Sequence, residues 1–240
     1  MLLICLWISV QLQHEPPTVS NNIYRIIAID PGTVTLGFAV VDVNIDDLSI
    51  IVEDVFTFNA GKYFKTKDQY KEIFGSRTSR LNFLSERIYE QLAKYEPDCV
   101  IAESSYLAVN VTSFASLIEC KVFIQDAVIK YDEALPLELI DPLTVKYGIG
   151  ALKRLTKEEL KLRRKNKNKV KPVDTKLAVR NKLESLIDLL WQTGLPPLQY
   201  LDEHSVDAIS IGYWKASQVL EFIMADNQNY EDFKNSLNKG

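Results

Sequence analysis

A chain of 240 residues, 47% hydrophobic and 25% charged, can bury a sizeable core without covalent staples, as one large domain or two small ones. Its three cysteines, Cys5, Cys99 and Cys120, are odd in number and lack CxxC spacing, which argues against a disulfide framework and a zinc site and for reduced thiols. The net charge of −4 conceals an asymmetry: residues 151–182 hold thirteen Lys or Arg against three acids, a net of +10, so the remainder carries −14.

The first stretch, "MLLICLWISVQLQHEPP", has an apolar run too short to span a bilayer and lacks a basic n-region and a small-residue cleavage site. It reads as an extension or docking segment over residues 1–22. Ile26 to Ile29 is a short β-branched run ended by Asp30 and the turn signal Pro31-Gly32, and Leu36 to Val43 resumes as a partner strand. The unit is a hairpin with an acid at its mouth. Asp before Pro-Gly is also an ordinary turn cap, so a functional reading of Asp30 needs acids from elsewhere in the chain.

Ser49 to Phe58 reads as a third strand, and residues 59–77 as a polar connection. Thr78 to Tyr95 carries Leu81, Leu84, Ile88 and Leu92 at helical spacing, closed by Pro97. "CVIAE", Cys99 to Glu103, is a buried strand with a carboxylate at its end. Val111 to Lys130 is a helix, Leu137 to Ile140 a strand, and Asp141-Pro142 opens a short helix through Tyr147. Asp174 to Trp191 reads as helical and His204 to Leu220 as the last helix. Three leading strands joined by short turns, followed by alternating helix and strand, predict an α/β fold: a mixed central sheet with its first three strands antiparallel, flanked by helices. The domain spans residues 23–220, interrupted by a basic insertion at 157–171 and followed by a tail at 221–240.

Asp30 and Glu103 both end apolar strands of one sheet, where α/β proteins place their chemistry. His204 and Asp207, at i and i+3 of a helix start, share a face. Each has an ordinary alternative, a helix N-terminal carboxylate or a polar first-turn residue. Brought together, three carboxylates and an imidazole would repel or desolvate badly without cations between them, and hard oxygen ligands with one imidazole suit Mg²⁺ or Mn²⁺. Two such ions clamp the attacking water and the leaving oxygen in phosphodiester hydrolysis.

"IAIDPGTVTLGFAVVD", "VIAESSYLAVNVTSFASLIECK", "LPLELIDPLTVKYGIGA" and "DEHSVDAISIG" resemble, in order and spacing, the RuvC-like Holliday-junction resolvases of the RNase H superfamily. The resemblance covers residues 24–218 with insertions. It implies an RNase H-like fold, a homodimer, and a four-residue acidic site using two Mg²⁺ (or Mn²⁺) ions to nick four-way DNA junctions. By motif position Asp30, Glu103 and Asp207 match the first, second and last acids, and His204 a position where Asp is usual. Asp202 and Glu203 are nearby substitutes for His204. Tyr106 matches an aromatic that stacks on an unpaired base, and Lys121 and Lys146 match phosphate contacts. The extension, the long connection and the basic insertion depart from the family pattern and suggest a divergent relative, viral or organellar. The expected location is intracellular, in a bacterial or virus-infected cell or an organelle matrix, with no membrane association.

The insertion "KEELKLRRKNKNKVK", with Arg163, Arg164, Lys165, Lys167 and Lys169, is either a solvated loop or a DNA arm. For an arm, shortening residues 161–171 is expected to weaken DNA binding and flatten its salt dependence. An unchanged salt slope in a binding titration rejects that role. Three other functions compete with a junction nuclease: a same-fold nuclease for flaps, forks or RNA–DNA hybrids, a non-catalytic nucleic-acid-binding module, and an actin-like ATPase suggested by the "DPGT" turn.

Overall fold

The computed structural model describes residues 22–63, 69–104, 111–159, 161 and 174–226. Six strands form one sheet in the order β5-β4-β1-β2-β3-β6. Strands β1 (Ile23–Asp30), β2 (Thr35–Asn44) and β3 (Ser49–Asn59) make an antiparallel meander. Strands β4 (Cys99–Glu103) and β5 (Leu137–Ile140) add in parallel beside β1, and β6 (Leu189–Trp191) adds in parallel to the far edge of β3. The expected mixed sheet with three leading antiparallel strands is the one observed.

The central strands are apolar on both faces because both faces are covered. Ile26, Ala28, Val41 and Ile101 pack under the C-terminal helix, here called α6 (Glu203–Asp226). Ile27, Ile29, Val40 and Val100 pack under α2 (Gln69–Tyr95) and α3 (Val111–Tyr131). A four-residue helix, α1 (Ala60–Tyr63), continues directly from β3, and α4 (Pro142–Gly148) follows β5. Helix α5 (Thr175–Glu184) precedes β6. Arg25, at the start of β1, makes a two-pronged ion pair with the buried Asp42 of β2, at 2.8 and 2.7 Å, and reaches the Tyr95 carbonyl at the end of α2.

Three boundaries differ from the sequence reading. The helix expected over 174–191 stops at Glu184, and Leu189–Trp191 becomes the edge strand β6. Leu183, Leu186, Ile187 and Leu190 fit a helical stripe, but β3 offers an unpaired edge, and its hydrogen bonds to 189–191 outweigh continued helix. Helix α2 begins at Gln69, inside the expected polar connection, and crosses a break at Gly75, whose φ of 82° only glycine adopts without strain. The last helix runs on to Asp226.

Candidate active site at the ends of β1 and β4

The parallel pairing of β1 with β4 runs from Ile26 opposite Cys99 to Ile29 opposite Ala102. The next residues along the two strands are Asp30 and Glu103, so the acids end neighbouring strands side by side. Both lie in the alternation of Ile26, Ala28, Cys99 and Ile101, whose side chains face α6. Asp30 is buried, and the first turn of α6 closes over it: His204 Nδ1 stands 2.7 Å from Asp30 Oδ2.

A glycine makes this approach possible. Gly37 pairs with Asp30 across the hairpin, and a Cβ there would lie 2.1 Å from the His204 carbonyl oxygen. Further along the helix, Gly212 leaves room for Val41 and Ala28. Helix α6 therefore rests on β1 and β2 at backbone distance, and its first turn reaches the strand ends.

That first turn is held by several elements. Asp202 accepts a hydrogen bond from the Ser205 amide at 3.0 Å and another from the Thr57 hydroxyl at 2.8 Å. Burial works against its charge, but the Ser205 and Thr57 hydrogen bonds hold its carboxyl below the usual range. Glu203 is ion-paired with Lys176 of α5. Arg180, also on α5, donates to the carbonyls of Leu198 and Leu201 in the turn that launches α6. Asp202 and Glu203 are thus committed to fixing the helix end, and it is His204 that meets Asp30.

The electrostatics tie the four groups together. Burial pushes the Glu103 carboxyl up to about 7, with Asp30, Asp207 and Asp141 pushing the same way and Lys146 opposing them. Asp207 is raised by burial and by Asp30, against Lys146, Lys176 and His204. The His204 imidazole is raised chiefly by its hydrogen bond to Asp30, and burial works in the opposite direction. With Nδ1 toward Asp30, Nε2 is the ring nitrogen left to take a proton or a cation.

Among the described residues, no three His, Cys, Asp or Glu side chains close into a ready-made metal cage. The donor set nevertheless fits a hard divalent cation in kind: two of its carboxyls are raised by burial and by each other's neighbourhood, the condition that a bound cation relieves.

The expected site residues that fall among the described ones have these places. Asp30, Glu103, His204 and Asp207 come together. Lys146, on α4, lies near enough to two of the acids to lower both. Lys121, partly exposed on α3, follows Cys120, whose thiol donates to the Gly32 carbonyl in the β1–β2 turn at 3.6 Å. Tyr106, Arg163, Arg164, Lys165, Lys167 and Lys169 lie outside the described residues. Sequence reasoning missed Gly37, Arg180 and the Thr57–Asp202–Ser205 network. Gly37, Arg180 and Thr57 have no local signal, since each acts on a segment distant in the chain, whereas Asp202, three residues before the Ser205 amide it accepts from, is a helix-capping acid that local spacing signals. Asp141 was read only as a helix opener, and it does cap α4 through the Leu143 and Thr144 amides at 2.9 and 3.1 Å. Its position at the end of β5 also brings it within reach of Glu103.

A pH dependence follows for the metal-free protein. Folding raises the Glu103 pKa from 4.5 to about 7, so between those values the native state binds more protons than the unfolded one. The stabilisation is full below about pH 4.5 and is lost as pH rises through 7, on the order of 2–3 kcal/mol. Asp207 and His204, both raised, act with the same sign. Thermal melts in chelator from pH 4.5 to 8 should show stability falling, and Glu103→Gln should remove much of that slope. An equal slope in the variant would mean that Glu103 is solvated and ionised throughout.

A mixed six-stranded sheet with acids on the adjoining ends of β1 and β4, crossed by a helix that adds an imidazole and a third acid, defines an RNase H-like α/β protein. The comparisons agree with that class. No protein-family model matches the chain. A crossover junction endodeoxyribonuclease RuvC from Albidiferax ferrireducens is 28% identical over 137 residues, 57% of this chain and 68% of the relative. Another RuvC, from Dictyoglomus turgidum, is 24% identical over 148 residues, covering 62% and 84%. A Thermus thermophilus RuvC structure aligns with a TM-score of 0.50 and 20% identity over 84% of this chain and 96% of that one, a likeness of fold. The chain is thus similar, at low identity, to proteins named RuvC, and its fold is like that of a RuvC structure.

Proposed function

We propose that the protein is a metal-dependent endonuclease that nicks four-way DNA junctions, acting as a homodimer. The observation that carries this reading is the meeting of Asp30, Glu103 and the first turn of α6 at one sheet end, in a chain related to proteins named crossover junction endodeoxyribonucleases.

Asp30, Glu103, Asp207 and the Nε2 of His204 are the groups that would hold divalent cations, two Mg²⁺ or Mn²⁺ ions in this reading. When bound, such ions lower the pKa of water and stabilise the leaving oxygen of a phosphodiester. The protein's own groups do the rest. The β1–β4 ladder keeps Asp30 and Glu103 at a set spacing on rigid strands. His204, hydrogen-bonded to Asp30, orients that carboxylate, and its neutral form offers Nε2 as a ligand atom. Lys146, beside Glu103 and Asp207, meets the negative charge of a phosphate and opposes the repulsion between the acids. Protonation of Glu103 and His204 removes ligands, so activity should rise with pH through the neutral range.

The test compares Mg²⁺-dependent cleavage of a labelled four-way junction with duplex, flap, fork and RNA–DNA hybrid. Paired, symmetric nicks confined to the junction support both the substrate and the dimer. Preferential cleavage of a flap, fork or hybrid would reassign the substrate while keeping the chemistry, and binding without any cleavage would leave a nucleic-acid-binding module.

A further inference from the structure

Between α4 and α6 the surface carries a concavity that the proposed chemistry does not use. It has a volume of about 240 Å³ and is lined by Thr144, Tyr147, Gly148, Leu152, Arg154 and Trp214. Tyr147 and Trp214 are both partly exposed. The Arg154 guanidinium lies over the Tyr147 ring, 5.4 Å from its centroid. Gly148 lets the indole seat closely: a Cβ there would lie 2.4 Å from Trp214 Nε1. Two aromatic rings, an arginine and a hydroxyl thus line one opening of mixed polar and apolar character.

We propose that this concavity is a stacking site for an unpaired nucleobase of the DNA strand that passes the acids, a role that rests on the nucleic-acid reading above. Any base offers a flat π face to tyrosine, tryptophan or guanidinium, so such a site is tolerant of sequence. Arg154 adds a positive charge for the neighbouring phosphate. The location fits, because α4 serves both places. Thr144, Tyr147 and Gly148, at i, i+3 and i+4, face the concavity, and the intervening Lys146 is near enough to Glu103 and Asp207 to act on both carboxyls. Lys146 leaves α4 on the side away from Thr144 and Gly148, so a strand with one phosphate at Lys146 crosses the helix, a span of a few nucleotides, before one of its bases reaches the opening. The arrangement is independent of Tyr106, which lies on a different segment of the chain.

The experiment uses the full chain and a single-stranded oligonucleotide carrying 2-aminopurine, whose fluorescence is quenched when it stacks on an aromatic ring. Binding to the wild type should quench it, and Tyr147→Phe should retain the quench. Tyr147→Leu and Arg154→Ala should each lose most of the quench and bind the oligonucleotide roughly tenfold more weakly. Arg154 is exposed, so its replacement tests the site even if Tyr147→Leu folds poorly. Absence of a quench with the wild type, or an undiminished quench with Arg154→Ala and a folded Tyr147→Leu, overturns the proposal. Junction nicking by the same samples is read separately. Quench without nicking sinks the nuclease and leaves the stacking site, and nicking without quench does the reverse.

Discussion

Replacing Asp30 with Asn is expected to lower Mg²⁺-dependent nicking by roughly 10³-fold or more while leaving the fold intact. The residue is buried at the strand end, is hydrogen-bonded to His204, and raises both Glu103 and Asp207. The amide keeps the size and one acceptor oxygen but removes the charge that a divalent cation would need. It also removes a repulsion. The Glu103 carboxyl should therefore titrate lower in the variant, and the metal-free protein should melt no earlier than the wild type near neutral pH. Loss of activity with unchanged or improved stability is the signature of a site that is electrostatically strained without its cation. Activity within a few-fold of wild type would remove Asp30 from the chemistry and leave it as the turn cap that its sequence context also permits.

Gly37→Ala is the second large effect, and it acts through packing. The added methyl would meet the backbone carbonyl of His204 at 2.1 Å, an atom that cannot rotate aside. The first turn of α6 must lift from β2, which carries His204 away from Asp30 and strains the Asp202 cap. A cost of about 3 kcal/mol in stability is expected, along with roughly a hundredfold loss of activity in the molecules that remain folded, since displacement by about 1 Å is enough to misalign a catalytic group. Gly61→Ala supplies the contrast, because the new Cβ there meets only side-chain atoms, Val34 Cγ1 at 3.0 Å and Asn59 Oδ1 at 3.3 Å, and should cost far less. Equal melting temperatures for Gly37→Ala and wild type would mean that α6 does not sit where the geometry puts it.

The two variants separate what was legible in the chain from what was not. Asp30 and Glu103 could be read because each closes a short apolar run, and a strand's end is a local property of hydrophobic patterning and turn chemistry. The same local logic set β5, α4 and the pairing of His204 with Asp207 on one helix face. It failed over 174–191, where an apolar stripe compatible with a helix was claimed for three residues by the edge of β3. It also left open whether Asp202, Glu203 or His204 would face Asp30. Their spacing alone cannot answer that, because the rotation of α6 is set by Thr57 on β3, by Lys176 and Arg180 on α5, and by the contact with Gly37.

The sequence by itself determined which residues end strands, which carry charge, and the order in which four motifs occur, since propensity, periodicity and turn signals act within a few residues. Only the tertiary structure decided that β1 and β4 are neighbours in a register that sets Asp30 beside Glu103. It also decided that α6 approaches closely enough for His204 to reach Asp30, and that burial lifts Glu103 to about 7. Those outcomes depend on contacts between segments far apart in the chain and on the exclusion of water between them, and neither is encoded in any local window.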